Sequence, residues 1–228
     1  MIFAILTAPL LLATPEATTG PPGEEVVVTA YAKPYKLNGK RLATAQRVFA
    51  KHRARTSPQA RLLFQARPRG QRDLSGLRLT LRSAGQSIPV ALDGENRFAL
   101  PSIPKGDWRL VANRGSAAME ITPIVLSPGS TPDDRRLGDL RLECEVVWAA
   151  FFTPEMPLWA RAATAATPPC RSSRLPLYTE ADQVIASAFV ASGNQITPIQ
   201  VRKNGRSWRY PGYDKRLPND ARVRFRYE

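Results

Sequence analysis

Near the C-terminus three aromatic residues interleave with cations. Arg206, Trp208, Arg209, Tyr210 and Tyr213 are followed by Arg222, Arg224 and Arg226 at alternate positions. Aromatic faces beside guanidinium groups can stack on sugars or bases while the cations hold phosphate or carboxylate. These eight residues are therefore the candidate ligand-binding set. Strand alternation alone gives the same pattern, with rings packed inward and arginines solvated, and that reading stands beside the first. Catalytic chemistry has little to work with. The single histidine, His52, lies in a strongly basic stretch without acids, which makes a Ser-His-Asp or Cys-His site improbable. No phosphate loop, zinc-protease motif or Cys/His cluster is present, so neither metal nor cofactor is expected. Glu143 and Glu145 read as solvated charges on one strand face, and Asp133 and Asp134 as turn formers after Pro132. A hydrolase built on carboxylates brought together in space is the least favoured reading. The expectation is a protein that is not an enzyme.

The other reactive side chains are Cys144 and Cys170. The first seventeen residues bear on them: 2–12 is an apolar run followed by small and polar residues, the form of a signal peptide. That run is too short to span a bilayer, so the chain is not expected to be an integral membrane protein. In an oxidising compartment the two cysteines most simply form one disulfide. A periplasmic or secreted location follows as the expectation.

The chain of 228 residues carries 33 Lys and Arg against 19 Asp and Glu, a net charge of +14. No acid occurs between Val26 and Arg72, a stretch with many basic residues. Such a field attracts polyanions; outside the cytosol these are lipid headgroups, anionic wall polymers, acidic polysaccharide or free nucleic acid, the last not an expected partner of an exported chain. Part of the field lies on an expected basic amphipathic helix, 38–57, bearing Arg41, Arg47, Lys51 and Arg55, with Asn38-Gly39 before it and Ser57-Pro58 after it. Its apolar stripe either lies on an anionic surface or packs Leu42, Val48 and Phe49 onto the next domain; the narrow stripe favours packing.

Twenty-one prolines and 14 glycines favour short strands and turns over long helices. Leu77, Leu79 and Leu81 alternate with polar residues; Ile88, Val90 and Leu92 lead to Asp93-Gly94 and on to Phe98, predicting a hairpin. Strands are also predicted around Trp108 to Ala112, over 121–126, and over 140–146, where Leu140, Leu142, Cys144 and Val146 alternate with Arg141, Glu143 and Glu145. A short helix within 155–166, a hairpin at Asn204-Gly205 and a last strand over 221–227 follow. The strand at Gly76 to Leu81, the Asp93-Gly94 turn with Phe98, the run from Ile103 through Gly106 and Trp108 to Leu110, and Leu137-Gly138-Asp139-Leu140 resemble the carboxypeptidase regulatory-like, transthyretin-related β-sandwich over about residues 74–143. The resemblance implies a sandwich with an accessory role and brings no catalytic residues. The segment 24–30 is similar to a TonB box, which would bind by adding a strand to a partner.

The expected organisation is a signal peptide over 1–17, an extended or flexible segment over 18–37, the basic helix over 38–57, a β-sandwich over 58–150 and a disulfide-tethered β extension over 151–228. The fold class is mainly β, a transthyretin-like or Ig-like sandwich with additions. The expected role is an exported binding or accessory protein of the cell envelope that contacts an anionic component through basic surfaces; a structural component recognising a protein partner is the alternative.

Overall fold

The structure is a computed structural model, and it describes residues 33–70, 72–181 and 183–228. The expected signal peptide and the TonB-box-like segment 24–30 lie outside the described residues. Strand β1 (Pro34–Asn38) leads directly into helix α1 (Gly39–Thr56). Asn38 is extended, and its side chain accepts from the Lys40 N–H at 2.8 Å, an N-cap that satisfies one of the helix's free donors. Gly39 donates to the Trp108 carbonyl at 2.7 Å, and a Cβ there would stand 2.5 Å from the same oxygen. Only glycine lets the helix start against that strand.

The apolar stripe of α1 turns inward. Leu42 and Ala45 are buried, Val48 and Phe49 pack on the same core, and Arg47, Lys51 and Arg55 face solvent. The expected helix is present, and its packing reading is the one observed. Strands β2 (Arg61–Pro68), β3 (Leu79–Ser83), β4 (Gln86–Val90), β5 (Arg97–Phe98), β6 (Arg109–Gly115) and β7 (Met119–Leu126) follow it. These form two antiparallel sheets, β1-β6-β3-β4 and β5-β2-β7. Leu79, Leu81 and Leu110 from the first meet Phe64, Phe98 and Ile121 from the second in one core.

The expected hairpin across Asp93-Gly94 is corrected. The turn exists: Asp93 Oδ1 accepts from the Glu95 and Arg97 N–H groups, and Asn96 takes the left-handed conformation, φ 56°. Its flanking strands do not pair, because β4 pairs with β3 and β5 with β2. The turn carries the chain from one sheet to the other.

The second half contains β8 (Asp134–Arg136), α2 (Leu137–Val147), a π turn at Trp148–Phe152, a 3-10 turn at Thr153–Glu155 and α3 (Leu158–Ala166). Then come β9 (Tyr178–Glu180), β10 (Ile185–Ser192), β11 (Gln195–Pro198), β12 (Ser207–Arg209) and β13 (Arg222–Tyr227). They make a sheet β11-β10-β13-β8 and a two-stranded pair β12-β9, with a second core around Val190, Trp208 and Val223. The protein is mainly β, with several antiparallel sheets and a few short helices.

The strand expected over 140–146 is helix α2, and its sequence pattern has a structural cause. Leu142, Val146 and Ala150 point into the first core, while Leu137 and Leu140 enter the second and Cys144 packs against it. A helix with an apolar face on each side places apolar residues at every second position, which imitates a strand. Cys144 and Cys170 are bonded, S–S 2.04 Å, so the disulfide ties the excursion to a helix rather than to a sheet.

The Leu137-Gly138-Asp139 run joins the two halves. Gly138 donates to the Asn219 carbonyl at 2.8 Å, and a Cβ there would lie 2.5 Å from the Thr56 carbonyl. Asp139, fully buried in the first turn of α2, accepts from Ser57 Oγ at 2.5 Å, Ser127 Oγ at 2.6 Å, the Ser127 N–H at 2.8 Å and Ser130 Oγ at 3.0 Å. Four donors and the positive end of a helix compensate the buried carboxylate.

Candidate functional site

Between the β5-β2-β7 sheet and the C-terminal strands lies a cavity of about 520 Å³, with α2 along one side. That is within the size range of small-molecule sites. Its walls are mostly apolar and aromatic: Trp148 and Phe152 from the π turn, Tyr178 from β9, Trp208 from β12, and Phe225 and Tyr227 from β13. These rings hold one another in place. Trp208 meets Phe225 edge to face at 4.9 Å, Phe225 stacks with Tyr227 at 6.2 Å, and Trp148 stacks with Phe152 at 5.3 Å.

An ion pair lines the inner side. Arg135 of β8 donates to Glu143 of α2 at 2.6 and 3.2 Å, a bidentate pair. Both groups also serve Val125 on the outer strand β7: its N–H donates to Glu143 at 2.8 Å, and its carbonyl accepts from Arg135 at 2.8 Å. The pair thus caps the free edge of β7, where an unsatisfied backbone would otherwise face the interior. Burial alone would lower the Arg135 pKa, but the adjoining Glu143 carboxylate outweighs it and raises it.

Four further charges line the cavity: Arg67, Glu95, Arg97 and Glu180. Arg97 is occupied by Asp93 at 2.9 Å and Glu95 at 2.5 Å. Arg67 bonds Gln65 at 3.2 Å and has no carboxylate partner among the described residues, although it is half-buried. Glu180 is exposed. Arg67 is the cation with spare capacity for an anion.

The candidate set from the C-terminal region is divided. Trp208 and Tyr210 are buried and line the cavity, and burial pushes the Tyr210 phenol pKa upward. Arg209 lies over the Tyr213 ring at 4.8 Å, away from the cavity lining. Arg206 and Arg226 are exposed. Arg222 and Arg224 both bind Asp134, at 2.7 and 3.3 Å, so that residue, which closes a turn with Thr131 as expected, also bridges strands. The eight residues do not form one combined face: alternation along β12 and β13 turns the arginines away from the buried rings, and Arg209 over Tyr213 is the guanidinium–ring pair within the set. On α1, Arg41 pairs with Glu155 at 2.6 Å, while Arg47, Lys51 and Arg55 leave a basic outer face.

The expectation that Glu143 and Glu145 are solvated strand charges is also corrected. Glu143 forms the cavity ion pair; Glu145 lies 3.5 Å from His52 Nδ1 and pairs with Arg171. Among the described residues no group of three or more His, Cys, Asp and Glu side chains could hold a metal ion. Arg67, Arg135, Trp148, Phe152 and Tyr178 were not legible as site residues, since only the crossing of strands distant in sequence gathers them. The chain matches no family model, no curated protein and no solved structure.

Proposed function

We propose that this is a binding protein without catalytic activity, whose ligand is a small amphipathic molecule with an apolar body and one acidic group. The cavity carries this reading: it offers aromatic and aliphatic walls to the body and Arg67 to the acid. Anion recognition is thereby assigned to the cavity rather than to the C-terminal arginines, two of which share the Asp134 carboxylate. Export to the periplasm or medium is part of the proposal, supported by the disulfide and by the apolar N-terminal run. A sandwich kinship is also proposed for the first half, supported by two antiparallel sheets sharing one core. The Leu137-Gly138-Asp139-Leu140 run that carries part of the resemblance is helical here.

Fluorescence titration with 1-anilinonaphthalene-8-sulfonate, an aromatic anion, tests the proposal. One saturable site is expected. Thr122→Trp, which fills the cavity from a half-buried strand position, should abolish binding, and Arg67→Glu should weaken it about tenfold or more. A cationic naphthalene of similar size should show no such loss with Arg67→Glu. Absence of a saturable site, or binding that survives Thr122→Trp, would overturn the reading.

A further inference from the structure

Helix α3 has an unusual position for an apolar helix. None of its nine residues is buried, and its first two, Leu158 and Trp159, are 81% and 75% exposed. Phe152 and Leu175 are also exposed, so four of the six exposed large apolar side chains among the described residues fall within 152–175. Isolated exposed leucines are ordinary, but a concentration of this kind marks an interaction surface. The excursion is anchored at its base by the Cys144–Cys170 bond, and its tip is stiffened by Arg161, which donates to the Met156 and Pro154 carbonyls at 2.9 and 3.0 Å.

Charge selects the occupant. From Met156 to Thr179 there is no acidic residue, while Arg161 and Arg174 are present, with Arg171 paired to Glu145. A second copy meeting this surface through a two-fold axis would bring like charges together. A protein groove that receives a helix needs large anchors over two or more turns, whereas after Leu158 and Trp159 this helix offers only alanines on its apolar side. Shallow insertion of one Leu and one Trp, with arginines at the headgroup level, suits a lipid surface.

We propose that α3 docks the protein on an anionic lipid bilayer. The cavity gains a source of ligand from this position. Phe152 lines the cavity while remaining 52% exposed, and it lies six positions before Leu158, so the cavity wall continues in sequence into the docking excursion. An amphiphile leaving the bilayer would meet aromatic surface first. This deepens the cavity reading and rests on it for the identity of the cargo, but membrane docking is tested separately.

The experiment uses the full chain with phosphatidylcholine vesicles, with and without phosphatidylglycerol, including lipids brominated on the acyl chain. Binding to the anionic vesicles, weakened by salt, is expected, with quenching of tryptophan fluorescence that Trp159→Phe removes. The pair Leu158→Glu and Trp159→Glu should lower vesicle affinity about tenfold or more, because two apolar side chains no longer leave water. Both positions are exposed, so the variant should keep its thermal midpoint and its titration with the naphthalene sulfonate. Vesicle binding unchanged in the double variant would overturn the proposal. So would quenching that persists in Trp159→Phe, or self-association in sedimentation that the double variant removes. Loss of sulfonate binding in the wild-type protein alongside intact vesicle docking would remove the cargo reading and leave the docking surface standing.

Discussion

Replacing Asp139 by Ala and by Asn tests how the two halves of the fold are joined. The carboxylate is fully buried and accepts four hydrogen bonds from three serines and one backbone N–H. Hydrogen bonds to a charged group contribute about 1.5–3 kcal/mol each, but these four are coupled and do not add. In Asp139→Ala the Ser57 and Ser127 hydroxyls, 2.9 Å apart, can bond each other, whereas the Ser127 N–H loses its acceptor and a small cavity remains. The expected loss is about 3–5 kcal/mol. For a chain of this size that lowers the thermal midpoint by about 10–15 °C. In Asp139→Asn the amide oxygen can keep Ser127 N–H and Ser130, and the amide NH2 can donate to the two remaining hydroxyl oxygens after they rotate. Only the charge contribution is lost, about 1–2 kcal/mol, or about 3–6 °C. Thermal unfolding followed by circular dichroism, with urea midpoints as a check, separates the two. Equal losses for Ala and Asn, or a loss below about 3 °C for Ala, would refute the assignment of this carboxylate as the hydrogen-bonded junction.

Other outcomes follow from the same geometry. Replacing Cys144 and Cys170 with serine should destabilise the protein by about 3.5 kcal/mol, the loop-closure value for a separation of 26 residues, read as a fall in urea midpoint. Gly138→Ala would put a Cβ 2.5 Å from the Thr56 carbonyl and should cost about 2 kcal/mol or more, whereas Gly94→Ala, with no heavy atom within 4 Å, should be nearly neutral in the same melt. Hydrogen bonds from Arg216 hold the Asp214 carboxyl down to about 2, so as pH falls the unfolded chain takes up this proton before the folded one. The pair therefore contributes above the ordinary Asp range and is lost as pH falls through about 4 to 2; Asp214→Asn should flatten the decline in thermal midpoint over that interval.

The parts of the fold legible in sequence depend on neighbours along the chain. Asn38-Gly39 and Ser57-Pro58 bracket α1, and Asn204-Gly205 forms its turn with Gly205 at φ 65°. The alternation of Val223 and Phe225 with arginines correctly places β13 with one face inside. The sequence misleads where a local pattern has two physical causes. Apolar residues at every second position over 140–146 belong to a helix between two cores, and no window on that segment alone distinguishes it from a strand. Asp93-Gly94 forms a turn, but whether its flanks pair is decided by β2 and β3, far away in sequence. The site was less legible still. Trp208 and Tyr210 stand out in the sequence and line the cavity, yet their expected arginine partners lie elsewhere, and Arg67 and Arg135 reach the cavity from other strands. Asp134 shows the same limit: a turn former by context, it is held in β8 by Arg222 and Arg224, 88 and 90 positions away.

Calorimetric titration of the naphthalene sulfonate into the wild-type protein and into Thr122→Trp tests the cavity most directly. A single saturable site in the wild type, lost in a Thr122→Trp protein with an unchanged far-ultraviolet spectrum, is the predicted result. No saturable heat with the wild type, or equal binding by both, would contradict a ligand in the cavity.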